Sequence, residues 1–290
     1  MQKMLVKNNE KRDISLILFI IYCSYLVFKV FIQKGIAITN NDVLRYMYFF
    51  RIDKFLFCIP FLYYFIKNNK EYKYFKVNET LSKRDFNIYF ALIFWINVAL
   101  GFIISIVSNI YEQDFVIERP LYLHIVHAIC IAPVLEEIIF RGVIMNNLKK
   151  YGIKTAIISN SILFGLSHYN IDMIIPAFFI GIVLSYVAYR YSIKYSILMH
   201  ILINMISEIP EIGEASLLIF VLIAVFLLIC YLFFFISGLI KKSYKDIFLV
   251  FKLSDEDRKN VAGFLKNNRL CLVVILVIVI SGLLLNYKLF

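Results

Sequence analysis

Long apolar stretches separated by short polar segments make up most of the chain. The candidate membrane helices are 14–32, 46–66, 87–108, 121–146, 155–169, 172–190, 195–207, 215–240 and 270–289. A membrane-spanning helix needs about 20 mostly apolar residues. The weakest candidates are 46–66, which contains Arg51, Asp53 and Lys54, and the short stretches 155–169 and 195–207. The pattern predicts an all-α fold, a polytopic transmembrane helical bundle with about eight or nine spans.

The polar segments alternate in charge. Lysine and arginine concentrate in 1–13, 67–86, 147–154, 190–194 and 241–269. The segments between them carry acidic residues instead, namely Glu112, Asp114, Glu118, Glu208, Glu211 and Glu214. Because cytoplasmic loops of membrane proteins are enriched in Lys and Arg, this alternation predicts a cytoplasmic N-terminus. With nine spans the C-terminus would lie outside.

Composition narrows the class of protein. The chain has 290 residues, is 61% hydrophobic and only 18% charged, and has a formal net charge of +11. Soluble domains are roughly 45–50% apolar, and disordered chains need low hydrophobicity, so both classes are excluded. A basic balance also occurs in nucleic-acid-binding proteins, but this chain offers little polar surface for that. We therefore expect the lipid bilayer, and no nucleic acid, as its partner.

Three regions are expected along the chain: transmembrane helices in 1–110, a chemically distinctive core in 120–207, and further transmembrane helices in 208–290. The last region contains a polar, cytoplasmic segment, 241–269. Within it, Ser254 is a candidate N-cap with Asp257 at the third helical position. Val261, Phe264 and Leu265 would share one face, so we expect a short helix resting on the membrane or on the bundle.

Ionisable residues inside membrane segments are functional candidates. Glu136 and Glu137 are adjacent in an apolar helix, and Arg141 follows four residues after Glu137. Residues four apart share a helix face, so Glu137 is expected to pair with Arg141. Glu136 points about 100° away and is the candidate general base. The alternative is a buried ion-pair cluster that only holds helices together.

Two further apolar segments carry polar groups. His168 ends one of them, and His200 and Asn204 share a face of the other. From assumed helix ends at 150, 154 and 194, Glu136 and His168 both lie about 21 Å deep, Asn204 about 15 Å and His200 about 9 Å. These groups are thus compatible with one cavity. The alternative is that the two histidines only form hydrogen bonds between helices. For the remaining histidines, His124 and His127, we expect packing at the outer interface of the membrane.

These residues resemble the CPBP intramembrane proteases, also called the ABI family, which include type II CAAX prenyl endopeptidases and bacteriocin-processing or self-immunity proteins. The family pattern is EExxxR, FxxxH and Hxxx(N/D) on successive membrane helices. Here it reads Glu136 to Arg141, Phe164 to His168, and His200 to Asn204. The resemblance covers roughly 120–207.

The resemblance implies hydrolysis of a peptide bond within the membrane. Glu136 with His168 would activate a water, His200 with Asn204 would stabilise the oxyanion, and Glu137, Arg141 and Phe164 would support the site. No cofactor is firmly implied. Zn²⁺ is an open alternative, with Glu136, His168 and His200 as ligands, although asparagine is a poor zinc ligand and no HExxH helix is present.

Substrate and function class stay open at this level. A peptide substrate is expected, with a prenylated protein as the less favoured choice. A non-enzymatic immunity or partner-binding protein of the same fold is the main alternative. A transporter, which would use the buried charges as an ion path, is disfavoured because no internal repeat is found.

Overall fold

The computed structural model describes residues 43, 46–47, 58–67, 75–108, 121–168, 171–208 and 217–267. In these residues the protein is an all-α bundle, as predicted. Its helices are α1 (Cys58–Lys67), α2 (Lys83–Ser108), α3 (Leu121–Tyr151), α4 (Ile153–Leu166), α5 (Ile171–Arg190), α6 (Ile193–Ser207), α7 (Leu217–Ile240), α8 (Lys245–Phe248) and α9 (Asp255–Asn267). The predicted spans 14–32 and 270–289, and residues 48–57 of the predicted span 46–66, lie outside the described residues.

Four of the described helices, α2, α3, α5 and α7, are long and apolar enough to cross a membrane. The chain is accordingly an integral membrane protein. The predicted stretches 155–169 and 195–207 are the shorter helices α4 and α6, of 14 and 15 residues. Apolar composition makes all of them stable in lipid, where every backbone polar group must be paired within the helix.

The helices differ in how deeply they lie in the bundle. Of the 18 residues that form the most apolar stretch of α5, 61% are buried inside the protein, whereas the corresponding share in α7 is 6%. Helix α5 therefore forms the centre of the bundle, while α7 packs along α2 and turns most of its surface outward. Its exposed side chains, such as Leu222, Phe226, Ile229 and Phe233, are the apolar surface that a bilayer would cover.

Contacts between distant segments gather the basic residues at one end of the bundle, which we call the basic end. The pairs are Arg84 with Ser237, Arg190 with Glu79, Lys149 with the ring of Tyr189, and Lys154 with Asp257. Helices α2, α4 and α6 begin at or toward this end, and α3, α5 and α7 finish there. The turn from α3 to α4 uses Gly152 at φ +91°, a conformation that disfavours residues with a Cβ.

The polar segment after α7 forms α9, as predicted. The Ser254 hydroxyl accepts the backbone N–H of Asp257 at 3.1 Å, and the Asp257 carboxylate accepts the backbone N–H of Ser254 at 2.9 Å. This reciprocal pair is a capping box. The ring of Phe264 packs edge-on against Tyr151 at 5.4 Å between centroids. Two positions were predicted for this helix, on the membrane or on the bundle. In the structure it packs on the bundle.

Candidate active site

The two adjacent glutamates lie in the middle of α3, between two stretches of widened π-helical turns. The first stretch is His127–Ile131 and the second is Ile138–Ile144. Such turns are rare, and they occur often at functional sites. The predicted pairing of Glu137 with Arg141 is confirmed at 2.7 Å between Oε1 and Nη1.

The carboxylate of Glu137 receives three donors. Arg141 and the Nδ1–H of His200 both reach Oε1, the latter at 2.9 Å, and the Ser196 hydroxyl donates to Oε2 at 2.6 Å. Glu137 and Ser196 are completely buried, and Arg141 and His200 nearly so. A buried ion pair is stable only when further hydrogen bonds satisfy its polar atoms, and here α6 supplies two of them.

Glu136 occupies a different environment from its neighbour. Its side chain retains 21% exposure, and its Oε2 lies 3.9 Å from Nε2 of His200. That distance is too long for a direct hydrogen bond. Because an ionised carboxylate only accepts, the proton of His200 that faces Glu137 is on Nδ1. The Nε2 side of the ring is therefore turned toward Glu136.

The ring of Phe164 joins the three motifs. It meets the rings of His168 and His200 edge-on, at centroid distances of 5.0 and 5.6 Å. The guanidinium carbon of Arg141 lies 4.2 Å from its centroid, within the range of a cation–π contact. Phe164 is almost fully buried, so α4 brings its motif to α3 and α6 through one aromatic side chain.

His168 lies just beyond the end of α4. Its Nδ1 is 3.0 Å from the carbonyl oxygen of Phe164. A carbonyl oxygen only accepts hydrogen bonds, so this contact places a proton on Nδ1. In the neutral ring, Nε2 is then the acceptor, which is the form a general base needs.

Asn204 points its amide at the backbone of α3. Its Nδ2 donates to the carbonyl of Ala128 at 2.8 Å. In the widened turn the N–H of Ala132 bonds to the carbonyl of His127, five residues back. The same pattern would pair residue 133 with Ala128, but Pro133 has no N–H. Asn204 thus satisfies a carbonyl that the proline leaves unpaired.

Ser196, His200, Asn204 and Glu208 follow one another at intervals of four residues on α6 and just past its end. Each of these residues contacts α3. Ser196 and His200 both bond to Glu137, and Asn204 bonds to the carbonyl of Ala128. Glu208 lies 2.9 Å from His124. We call this row the α3–α6 seam. The partners move back along α3 as α6 advances, so the two helices are antiparallel here. His124, for which packing was predicted, instead forms an ion pair or hydrogen bond with Glu208.

Ser196 was absent from the residues predicted for the site. The signal for it was its position four residues before His200, which places both on one helix face. That spacing alone did not reveal a partner, because a serine in an apolar helix more often bonds to its own backbone.

The alternative zinc site is not assembled. In the part of the chain that the structure describes, no three side chains of His, Cys, Asp or Glu are grouped so that they could hold a metal ion. Glu136, His168 and His200 are therefore not grouped as the ligands of a tetrahedral metal ion in this arrangement.

Comparison with known proteins supports the resemblance. Residues 118–206 match the family model of the type II CAAX prenyl endopeptidases, described as Rce1-like. No curated protein and no solved structure matches the chain. The match runs from α3 to the last turn of α6 and includes all three motifs and the α3–α6 seam except Glu208. Residues 118–206, somewhat under a third of the chain, are thus similar to the CPBP family of CAAX-type intramembrane proteases.

Proposed function

We propose that the protein is an intramembrane endopeptidase that hydrolyses a peptide bond in a membrane-associated or hydrophobic peptide. The single observation that carries this is the contrast between adjacent carboxylates. Glu137 is buried and bound by three donors, whereas Glu136 keeps 21% exposure beside His200. An ion-pair cluster that only holds helices together would need a buried and fully bonded carboxylate such as Glu137. A general base also needs access to water, which the partly exposed Glu136 has.

In the proposed reaction, Glu136 together with His168 takes a proton from a water molecule, which attacks the scissile carbonyl carbon. A water within ordinary hydrogen-bond distance of Glu136 Oε2 can also reach Nε2 of His200, since these atoms are 3.9 Å apart. The protonated Glu136 then gives its proton to the leaving amine. The balance is one water consumed and one peptide bond broken.

We assign to His200 and Asn204 the stabilisation of the negative charge that develops on the oxygen of the tetrahedral intermediate. His200 is held by Glu137, which fixes the direction of its ring. Since its Nδ1–H is donated to Glu137, it can also donate Nε2–H to the oxyanion only as the ring that carries a proton on each nitrogen. The Asn204 amide has two N–H groups, and one of them is engaged by Ala128. Glu137, Arg141 and Phe164 act by holding these groups in place. No step passes through a metal ion.

The substrate is proposed from the chemistry of the site and from the family. A peptide that reaches Glu136 must enter from the membrane or its interface, because α3 is long and apolar enough to cross a membrane. The family description favours prenylated CAAX proteins. A chain rich in Ile, Lys, Asn and Phe is typical of an AT-rich bacterial genome, which favours a secreted or bacteriocin-like peptide. We propose a bacterial cell membrane as its location, with the N-terminus cytoplasmic.

The test compares wild type with Glu136→Gln by peptidomics of membranes from cells that express each form. Peptides cleaved only by wild type are then synthesised and assayed with purified protein in proteoliposomes. Glu79→Gln is the matched control, because Glu79 is an exposed acidic residue paired with Arg190 at the surface. We expect cleavage by wild type and by Glu79→Gln, and loss of cleavage with Glu136→Gln.

Undiminished cleavage by Glu136→Gln would reject Glu136 as the base. Protection of cells from a toxic peptide that survives both Glu136→Gln and His168→Ala would instead favour the non-enzymatic immunity function.

A further inference from the structure

Ser196 lies one helical turn before His200 on α6, outside the three motifs. Its Oγ is 2.6 Å from Oε2 of Glu137 and 3.2 Å from the carbonyl oxygen of Ile193. A serine hydroxyl has one proton to donate. The carboxylate is both the nearer and the charged acceptor, and hydrogen bonds to charged groups are the stronger ones. The proton of Ser196 is therefore directed at Glu137.

This bond determines how Glu137 is oriented. Oε1 receives Arg141 and His200, and Oε2 receives Ser196. A carboxylate held at both oxygens cannot rotate without breaking a bond. The site is completely buried around Glu137, so water does not replace a lost donor, and an unmade bond there keeps its full penalty.

The orientation of Glu137 in turn determines that of His200. With Oε2 occupied by Ser196, Oε1 is the oxygen presented to the Nδ1–H of His200. The ring then directs Nε2 toward Glu136. We propose that Ser196 is a positioning residue for peptide-bond hydrolysis, holding Glu137 so that His200 keeps its proton on Nδ1. This rests on the proposed function for its catalytic consequence only.

The competing explanation is that Ser196 merely joins α6 to α3. Ser161 provides a matched control, because it is also a completely buried serine in a neighbouring apolar helix. Its hydroxyl donates to the carbonyl of Ile157 in its own helix at 2.7 Å. Ser161→Ala removes a hydroxyl from the bundle core without touching Glu137.

Activity is measured in proteoliposomes with a quenched fluorescent farnesylated CAAX peptide, and with any peptide found by the membrane comparison above. We expect Ser196→Ala to lower kcat by about ten- to hundredfold with little change in KM, because small displacements of catalytic groups cost rates of this size. Ser196→Thr keeps the hydroxyl and is expected to recover most of the rate. Ser161→Ala is expected to resemble wild type.

A second measurement does not depend on turnover. The chain has only four histidines, so ¹⁵N-histidine labelling of the protein in bilayers gives a spectrum that His→Gln variants can assign. We expect the His200 signal to report a proton on Nδ1 in wild type, in Ser161→Ala and in Ser196→Thr. In Ser196→Ala we expect both tautomers of His200 to appear.

The outcomes separate the two proposals. If wild type cleaves no peptide but the His200 tautomer still depends on Ser196, the proposed function and the catalytic consequence fail, while the orientation of His200 by Ser196 stands. If the tautomer is unchanged in Ser196→Ala, the positioning role is overturned, whatever the activity. Equal loss of kcat in Ser196→Ala and Ser161→Ala would likewise overturn it, since a general effect on packing would then suffice.

Discussion

The Nδ1 atom of His200 lies 2.9 Å from Oε1 of Glu137, across the α3–α6 seam. Through this bond, the glutamate that is paired with Arg141 also orients the histidine that faces Glu136. The two neighbouring acids therefore lie in different environments, and we propose that Glu137 acts in stability and orientation and Glu136 in chemistry.

The first prediction separates these roles. Glu137→Gln leaves the guanidinium of Arg141 buried without its counter-charge, and removing one partner of a buried pair costs about 3–5 kcal/mol. We expect a large fall in the free energy of unfolding, measured by denaturant titration in detergent. Glu136→Gln is expected to abolish cleavage with a change in stability below about 1 kcal/mol.

The exposed pair Arg190–Glu79, at 3.0 Å, is the control for this comparison. Surface pairs contribute about 0–1 kcal/mol, so Glu79→Gln is expected to unfold like wild type. Equal destabilisation by Glu136→Gln and Glu137→Gln would contradict the division of roles.

The second prediction concerns the carbonyl of Ala128. Asn204→Ala removes its donor and is expected to cost about 1–3 kcal/mol. Pro133→Ala supplies an N–H next to this carbonyl, so the cost of Asn204→Ala is expected to shrink in that background. A double-mutant cycle for unfolding measures the coupling, expected at about 0.5–2 kcal/mol. Strictly additive effects would show that Pro133 is not the reason that Asn204 is needed.

The third prediction concerns the contact of α4 with α5. A Cβ at Gly165 would lie 2.7 Å from the carbonyl oxygen of Ile174, and a backbone atom cannot rotate away. Gly165→Ala must therefore move the end of α4, and with it His168. We expect a loss of about 1–3 kcal/mol in stability together with loss of cleavage.

Gly101 in α2 is the matched control for that substitution. A Cβ there meets no atom within 4 Å, and alanine is favoured over glycine in helix interiors by up to about 1 kcal/mol. Gly101→Ala is expected to unfold at the same or higher denaturant concentration and to cleave at the wild-type rate. Activity retained by Gly165→Ala would show that His168 does not depend on this packing.

The fourth prediction is a dependence on pH at α9. The hydrogen bond from the Lys154 ammonium, followed by those from Ser254, lowers the pKa of Asp257 from 3.8 to about 2. Because the folded-state pKa is depressed, the contribution of this carboxylate is complete above about 3.8 and is lost as the pH falls toward 2. Asp257→Asn should therefore loosen α9 at neutral pH and make much less difference near pH 2.

Pepsin digestion within α9, compared between wild type and Asp257→Asn at each pH from 4.5 down to 2, measures this loss. Asp255→Asn is the control, because Asp255 is almost fully exposed and reaches Arg258 only at 3.8 Å. A ratio of cleavage rates that stays constant over this range would contradict the assignment to Asp257.

Local spacing in the sequence was sufficient for several of these features. The four-residue interval predicted the Glu137–Arg141 pair, and the Ser254–Asp257 interval predicted the capping box. Both depend on one helix or one turn, where geometry follows directly from residue number. The convergence of the motifs was also anticipated, although only as compatible depths.

Contacts between helices could not be obtained in this way. The expected depth of His200, about 9 Å, assumed that α6 begins level with α4. In the structure the side chain of Ile193 at the start of α6 lies against Gly142, well inside α3, so His200 reaches Glu137. The bond from Asn204 to Ala128 also depends on a widened turn, which residue periodicity does not reveal.

The shortness of α4 has a consequence for how the reaction obtains its second reactant. Fourteen residues span about 21 Å, while the hydrocarbon layer is about 30 Å thick. His168 lies just beyond the end of this helix, next to the ring of Phe164. Local thinning of the bilayer is one way to accommodate a hydrophobic stretch shorter than its hydrocarbon layer. In the proposed hydrolysis, thinning at α4 would bring the hydrated headgroup region closer to Glu136 than a helix of full length would allow.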